Sequence, residues 1–275
     1  MLKFIFIFSL LATNSFAQDN AVFFYGDFEF EQGSEQMLYG DNVVFRKKPD
    51  AKSMALDTLS ICSKVTILKK TKEKMMYQGI ERNWYKVDHD GKIGYVLGGL
   101  ISLTSVEVDG HIYLASIIDK GDYDRSLRYR MVKSGTTGGT SFLSGELSLE
   151  TSAFSLDIFD DRGVEGVDHI LYINYYAEAC GVNGGGVYLF YDGEQLVKAM
   201  NISSVADGGV FWFSEDLIFP DDEKGEEGYI IYEREHGESM DENVFWDRTV
   251  SHRVYLKWEN GKFTPDVSEL DFGDH

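Results

Sequence analysis

The sequence predicts an all-β protein, a small barrel followed by a larger antiparallel β domain, and three observations carry that expectation. Short segments rich in Val, Ile, Tyr and Phe alternate in polarity along most of the chain. No stretch repeats apolar residues at three- and four-residue spacing for more than two turns. Between the alternating segments stand Asp90-Gly91, Asp109-Gly110, Asp192-Gly193 and Asn260-Gly261. Such pairs adopt the positive backbone angles that two-residue hairpins require.

Taken in order, the first element is a processing signal. Met1-Leu2-Lys3 is a short positive start and Phe4–Ala12 an apolar run. Ser15 and Ala17 place small residues where a signal peptidase reads, so residues 1–17 are expected to be removed before Gln18. A membrane span needs about 20 apolar residues, and Thr13, Asn14 and Ser15 arrive too early. Gln18, not a cysteine, stands directly after the cleavage point, which argues against a lipid-anchored form. The expected location is therefore periplasmic or secreted. Residues 18–37 are treated as an acidic N-terminal extension of the barrel, which occupies 38–103. In it, Val65–Leu68 and Trp84–Val87 read as strands. The second domain, 104–275, takes its strands from Ser126–Val132, Ile170–Tyr175, Val187–Tyr191, Tyr229–Tyr232 and Val254–Trp258.

The two parts carry opposite charge. Residues 38–103 hold 12 Lys/Arg against 7 Asp/Glu, and residues 104–275 hold 13 against 34. So sharp a shift marks a domain boundary near Thr104. The basic barrel either docks on its acidic neighbour or faces an anionic ligand. The overall charge of −20 disfavours nucleic acid as a partner. Cys62 and Cys180 fall one in each domain. An oxidising compartment permits a bridge between them, and two free thiols are the alternative.

Residues 38–103 resemble the bacterial SH3-like domain. Asn42-Val43-Val44-Phe45-Arg46-Lys47-Lys48-Pro49 is similar to its opening strand and turn. Asn83-Trp84-Tyr85-Lys86-Val87 with Asp90-Gly91-Lys92-Ile93-Gly94-Tyr95-Val96 is similar to its last hairpin, and Leu100-Ile101-Ser102 to its closing strand. This chain departs at Cys62, where the family usually has glycine, and residues 70–83 make a longer insertion than usual. The resemblance implies a binding module, often for cell-wall peptides, with an aromatic-lined groove at Trp84, Tyr85 and Tyr95. The alternative for Trp84 is a packed barrel seam.

For 104–275 the architecture is expected to be an atypical propeller or a sandwich. The units Val187-Tyr188-Leu189 and Val254-Tyr255-Leu256, each running into a glycine turn, would be blades or hairpins. Asp161-Arg162-Gly163-Val164-Glu165-Gly166-Val167-Asp168 is similar to a calcium loop of integrin-type propellers, which makes Asp161, Glu165 and Asp168 the calcium candidates. Gly163 stands where that loop has a ligand, and a solvated acidic turn is the alternative. Asp221–Glu227 reads as a solvated hairpin tip.

No catalytic pattern is found. There is no Gly-x-Ser-x-Gly, no His-Glu-x-x-His and no Cys-x-x-Cys. The remaining enzyme reading is a cell-wall cysteine hydrolase using Cys180, with Glu178 and His252 beside it. The function expected is therefore that of an exported, non-catalytic binding protein without a cofactor. Its partner would be a cell-wall peptide or an envelope protein. The rival is a structural barrel capping an acidic domain that binds the ligand.

Overall fold

The computed structural model describes residues 21–24, 28–121, 124–133, 141–149, 151–177, 179–208, 210–239 and 247–272. The expected signal segment, residues 1–17, lies outside them. The protein is almost entirely strand, in three antiparallel sheets. A first strand, β1 (Val22–Phe23), is followed by the barrel strands β2 (Glu35–Met37), β3 (Val43–Arg46), β4 (Ala55–Leu59), β5 (Lys64–Tyr77), β6 (Ile80–His89) and β7 (Lys92–Leu97). These barrel strands pair in the order β2-β5-β6-β7-β3-β4. Next come β8 (Thr104–Val108), β9 (His111–Asp119), β10 (Arg125–Lys133) and β11 (Phe142–Ser148), a four-stranded meander. The rest is β12 (Ala153–Phe159), β13 (His169–Tyr175), β14 (Gly184–Tyr191), β15 (Leu196–Asp207), β16 (Phe211–Ile218), β17 (Ile230–Ser239), β18 (Asp247–Glu259) and β19 (Lys262–Thr264). These eight run up and down in sequence order within one nine-stranded sheet, whose first place is taken by β1.

Three of the four turn pairs behave as their chemistry demands. Asp90, Asp109 and Asn260 have φ of 50°, 46° and 54°, each followed by a positive-φ glycine, and each closes a two-residue hairpin. Asp192 instead opens a four-residue loop. Its Oδ1 accepts from Glu194 N at 2.9 Å and Gln195 N at 2.7 Å. The insertion at 70–83 is no irregular loop. It lengthens β5 and β6 into an arm that closes at Gln78-Gly79, a further positive-φ pair.

The apolar runs of β13 and β14 are explained by burial on both faces. Leu171, Ile173, Val187, Leu189 and Tyr191 enter one core, shared with the four-stranded sheet and the barrel. Their neighbours Ile170, Tyr188 and Phe190 enter a second core with Leu217, Phe219, Tyr232, Leu256 and Phe263. Strands covered on both faces lose the polar alternation of a half-exposed strand. The nine-stranded sheet thus packs its early strands on the four-stranded sheet and curls its later strands over its own other face. The two similar units at 187–191 and 254–258 sit on β14 and β18 of one sheet, not on successive blades.

The first core crosses Thr104 without a break: Val43, Phe45 and Val87 of the barrel belong to it together with Tyr113, Leu127 and Phe154. The N-terminal extension is a strap rather than a part of the barrel alone. Val22 and Phe23 pair with Phe154 and Ala153 of β12. Phe30 packs edge-on against Tyr85 of the barrel, ring centroids 5.2 Å apart.

Candidate functional site

The barrel contains the residues that the sequence singles out. On β6 and β7, side chains alternate between an inner and an outer face. Tyr85, Val87 and Val96 point inward and are buried. Tyr85 is 2% exposed, and its hydroxyl accepts from Phe30 N at 3.4 Å. Trp84 lies on the opposite face and is 4% exposed. The expected groove therefore finds two of its three aromatics packed away from solvent. Tyr95, half-buried, is the one of the three placed where a ligand can touch it.

Around Tyr95 the register builds a row the sequence does not announce. Lys69 of β5 pairs with Lys86 of β6, Lys86 with Tyr95 of β7, and Tyr95 with Arg46 of β3. Directly paired residues share a face, so one aromatic and three cations line up across four strands. Lys69 is exposed and the other three are half-buried. Arg46 Nη1 donates to Ser53 O at 2.6 Å, which holds the guanidinium beside the 47–53 turn. The neighbouring cations Lys64 and Lys92 are paired instead, with Glu35 and Asp57, each at 3.0 Å. Lys92 holds the Asp57 carboxyl below its ordinary range. A beta-bulge between Ile67 and Lys69 brings Lys69 onto the outer face, and a sequence pattern does not show such a shift.

The strand order and this last hairpin agree with the family comparison. Residues 41–102 match the family model of the bacterial SH3 domain. No curated protein and no solved structure matches the chain. The SH3 domain is a binding module by kind, and here it is firmly docked. Arg130 stacks over Tyr39, just before the matched segment, at 4.4 Å, and its Nη1 donates to Tyr39 O at a short distance. Asp119 N donates to Gln78 O at 3.1 Å, and Arg82 Nη2 to Ile117 O at 3.2 Å.

Cys62 occupies the SH3 turn with φ of 63°. Its thiol is raised to about 11, first by burial and then by Glu107. Cys180 is exposed, and both cysteines are free, so the possible Cys62–Cys180 bridge is not formed. Glu178 lies outside the described residues. The turn after Cys180 is tied to the end of β15 by Gly181 N donating to Ala206 O at 2.9 Å. His252 lies on β18, opposite Arg234 of β17 and against the Phe272 ring at 5.4 Å. In the order of the sheet, β15 and β18 are separated by β16 and β17.

The candidate calcium loop is held by other means. Asp161 Oδ1 accepts from Gly163 N at 2.8 Å, closing an Asx turn. Val164 and Val167 are buried in the second core. Arg162 forms an ion pair with Asp222, which draws the acidic 221–227 segment onto the loop rather than leaving it a free tip. Glu165 is exposed, and Asp168 N donates to Tyr191 O at 2.7 Å. Among the described residues no group of three or more His, Cys, Asp or Glu side chains could hold a metal. Asp161, Glu165 and Asp168 thus sit on a turn braced by the Asp161 carboxylate and by Val164 and Val167 in the second core.

Two further features lie in the larger domain. His111 and His169 meet edge to face at 5.0 Å, between the four-stranded and nine-stranded sheets. Tyr113 Oη is 3.3 Å from His169 Nδ1. Burial, and then the neighbouring His169, hold His111 below its ordinary value. A cavity of about 530 Å³ is walled by β15–β17 and the C-terminal segment, with Lys198, Glu215, Tyr232, Arg234 and Phe272 in its lining. Tyr232 Oη donates to Glu215 Oε1 at 2.6 Å, and the Arg234 guanidinium lies over Phe213 and Phe272 at 5.1 and 4.9 Å. No helix among the described residues is long and apolar enough to cross a membrane.

Proposed function

We propose that the chain is an exported, non-catalytic binding protein whose SH3 domain engages a cell-envelope peptide or an envelope protein. The observation that carries this reading is the SH3 match over 41–102, joined to a half-exposed Tyr95 flanked by cations on the outer face. The apolar run at Phe4–Ala12 with its small-residue cleavage signal supports export to the periplasm or beyond. The test is a pull-down of the protein with purified cell-wall sacculi and with envelope extract, run beside Tyr95→Ala. Trp84 is unsuitable as a probe, because truncating so buried an indole costs about 3–5 kcal/mol of stability. Capture that weakens with Tyr95→Ala supports the reading, and the absence of any saturable capture refutes it.

The cavity beside Tyr232 favours a second reading, in which the SH3 domain is a structural cap and the acidic domain holds the ligand. Under that reading Tyr95→Ala leaves capture unchanged, and Lys198→Glu, at the rim of the cavity, abolishes it.

A further inference from the structure

The row across the SH3 sheet carries the argument furthest. Lys69 and Lys86 are direct cross-strand partners, an arrangement in which like charges destabilise a sheet. Among the described residues no ion pair engages Lys69, Lys86 or Arg46, although the protein carries 46 acidic residues. Of the acidic groups near the row, Asp57 is paired with Lys92, Asp88 accepts from Gly91 N at 2.8 Å, and the exposed Glu73 attracts Lys69 without an ion pair to it. A cationic row with no ion pair of its own and an aromatic within it is a complement to an anion with an apolar midpoint.

We infer that the Lys69–Lys86–Tyr95–Arg46 row binds an acidic peptide laid across the strands, with carboxylates at its two ends and an apolar side chain on Tyr95. This rests on the proposed peptide-binding role of the SH3 domain and names the site and the ligand chemistry. Neighbouring strands lie about 4.8 Å apart. Arg46 is therefore about 10 Å from Lys86 and about 14 Å from Lys69. An extended peptide advances about 3.3 Å per residue, so acidic residues four positions apart stand about 13 Å apart. Positions one, three and five of such a peptide also share a face. Acids at the ends thus meet Arg46 and Lys69, while the central side chain falls between the Tyr95 ring and the Lys86 stem.

The test titrates the full chain at low salt with a five-residue probe of aspartate, glycine, phenylalanine, glycine and aspartate, both termini blocked, with binding read by NMR. Shifts should map to 46, 69, 86 and 95. Lys69→Gln and Tyr95→Ala should each weaken binding about five- to tenfold, and an asparagine-for-aspartate probe should not bind. Lys69→Gln should also leave thermal stability unchanged or raised, because it removes an opposed like charge. Equal binding by Lys69→Gln, equal binding of a probe with adjacent aspartates, or shifts confined to another face would overturn the inference. Sacculi capture in parallel separates the two levels. A chain that holds sacculi but not the probe overturns only the acidic-peptide site, and one that holds neither overturns the peptide-binding role as well.

Discussion

Replacing Gly79 by alanine should undock the SH3 arm from the four-stranded sheet, and Gly91 supplies a matched control. Both glycines are the second residue of a two-residue hairpin, with φ of 81° and 79°. Their surroundings differ. A Cβ on Gly91 would meet nothing within 4 Å, whereas a Cβ on Gly79 would lie 1.7 Å from Asp119 O. Gly91→Ala therefore bears only the left-handed backbone cost, about 1–2 kcal/mol, less about 0.4–1 kcal/mol for the narrower unfolded ensemble of alanine. A loss of about 1 kcal/mol is expected. Gly79→Ala carries the same term and must also move the arm off Asp119. That breaks the Asp119 N to Gln78 O bond, and with it the contacts of Arg128 with Gln78 and Arg82 with Ile117. At about 1 kcal/mol per hydrogen bond the expected loss is about 3–4 kcal/mol. Urea unfolding of both variants, with hydrogen exchange at the Asp119 amide, measures the difference. Equal losses, to within about 0.5 kcal/mol, would refute the docking argument.

Other expectations follow from the same geometry. Cys62→Gly relieves a φ of 63° and should stabilise the chain by about 0.5–1 kcal/mol, while Cys62→Ala, which keeps the strain, should not; the test is paired thermal melts. A thiol-reactive probe at neutral pH should label the exposed Cys180 and leave Cys62 untouched until the protein unfolds, because burial raises the Cys62 thiol to about 11. His111 is held below its ordinary 6.5, so the unfolded chain takes up its proton at higher pH than the folded one. The stability tied to His111 is thus complete above about pH 6.5 and falls as pH drops toward its folded value. His111→Phe should flatten that acid-side slope in urea titrations at stepped pH. Residues 38–103 expressed alone should unfold more easily than the intact chain, because Leu38 and Phe45 share a core with Tyr113 and Leu127; independent, equal stability would count against the dock.

Much of the fold is legible because local chemistry decides it. The Asp90-Gly91 and Asn260-Gly261 pairs fix their hairpins whatever surrounds them, since their backbone angles exclude most other residues. The apolar runs at 170–175 and 187–191 announce strands, yet they do not say that both faces are covered. That depends on the four-stranded sheet on one side and on Leu217, Phe219 and Leu256 on the other, residues distant in sequence. The candidate site was harder to read for a related reason. Trp84 and Tyr85 attract attention as aromatics, and a barrel consumes such residues first. Lys69 joins Lys86 and Tyr95 only because a bulge shifts the register at Ile67, and that shift leaves no mark on residue type. The Asp161–Asp168 segment is legible only in part. Its glycines are real turn positions, but Val164 and Val167 pull the loop into the second core, and the Asp161 carboxylate is spent on the turn itself.

A docked cap and a binding surface are compatible in this geometry. Docking uses Tyr39, the arm tip at Gln78-Gly79 and the segment around Ser102, whose hydroxyl donates to Thr104 O at 2.6 Å. The row from Lys69 to Arg46 uses the outer face of β5, β6, β7 and β3, where these four side chains stay half-buried or exposed. A barrel held rigidly by one set of residues can present another set in fixed register, and rigidity lowers the entropic cost of capturing a flexible peptide. The opposite charges of the two domains serve both ends: the acidic body attracts the basic barrel, while among the described residues no ion pair engages Lys69, Lys86 or Arg46 on its outer face. A variant that loosens the dock, such as Gly79→Ala, should therefore weaken sacculi capture even though Gly79 lies outside the row. Unchanged capture at equal protein concentration would mean that the barrel binds without the support of its neighbour.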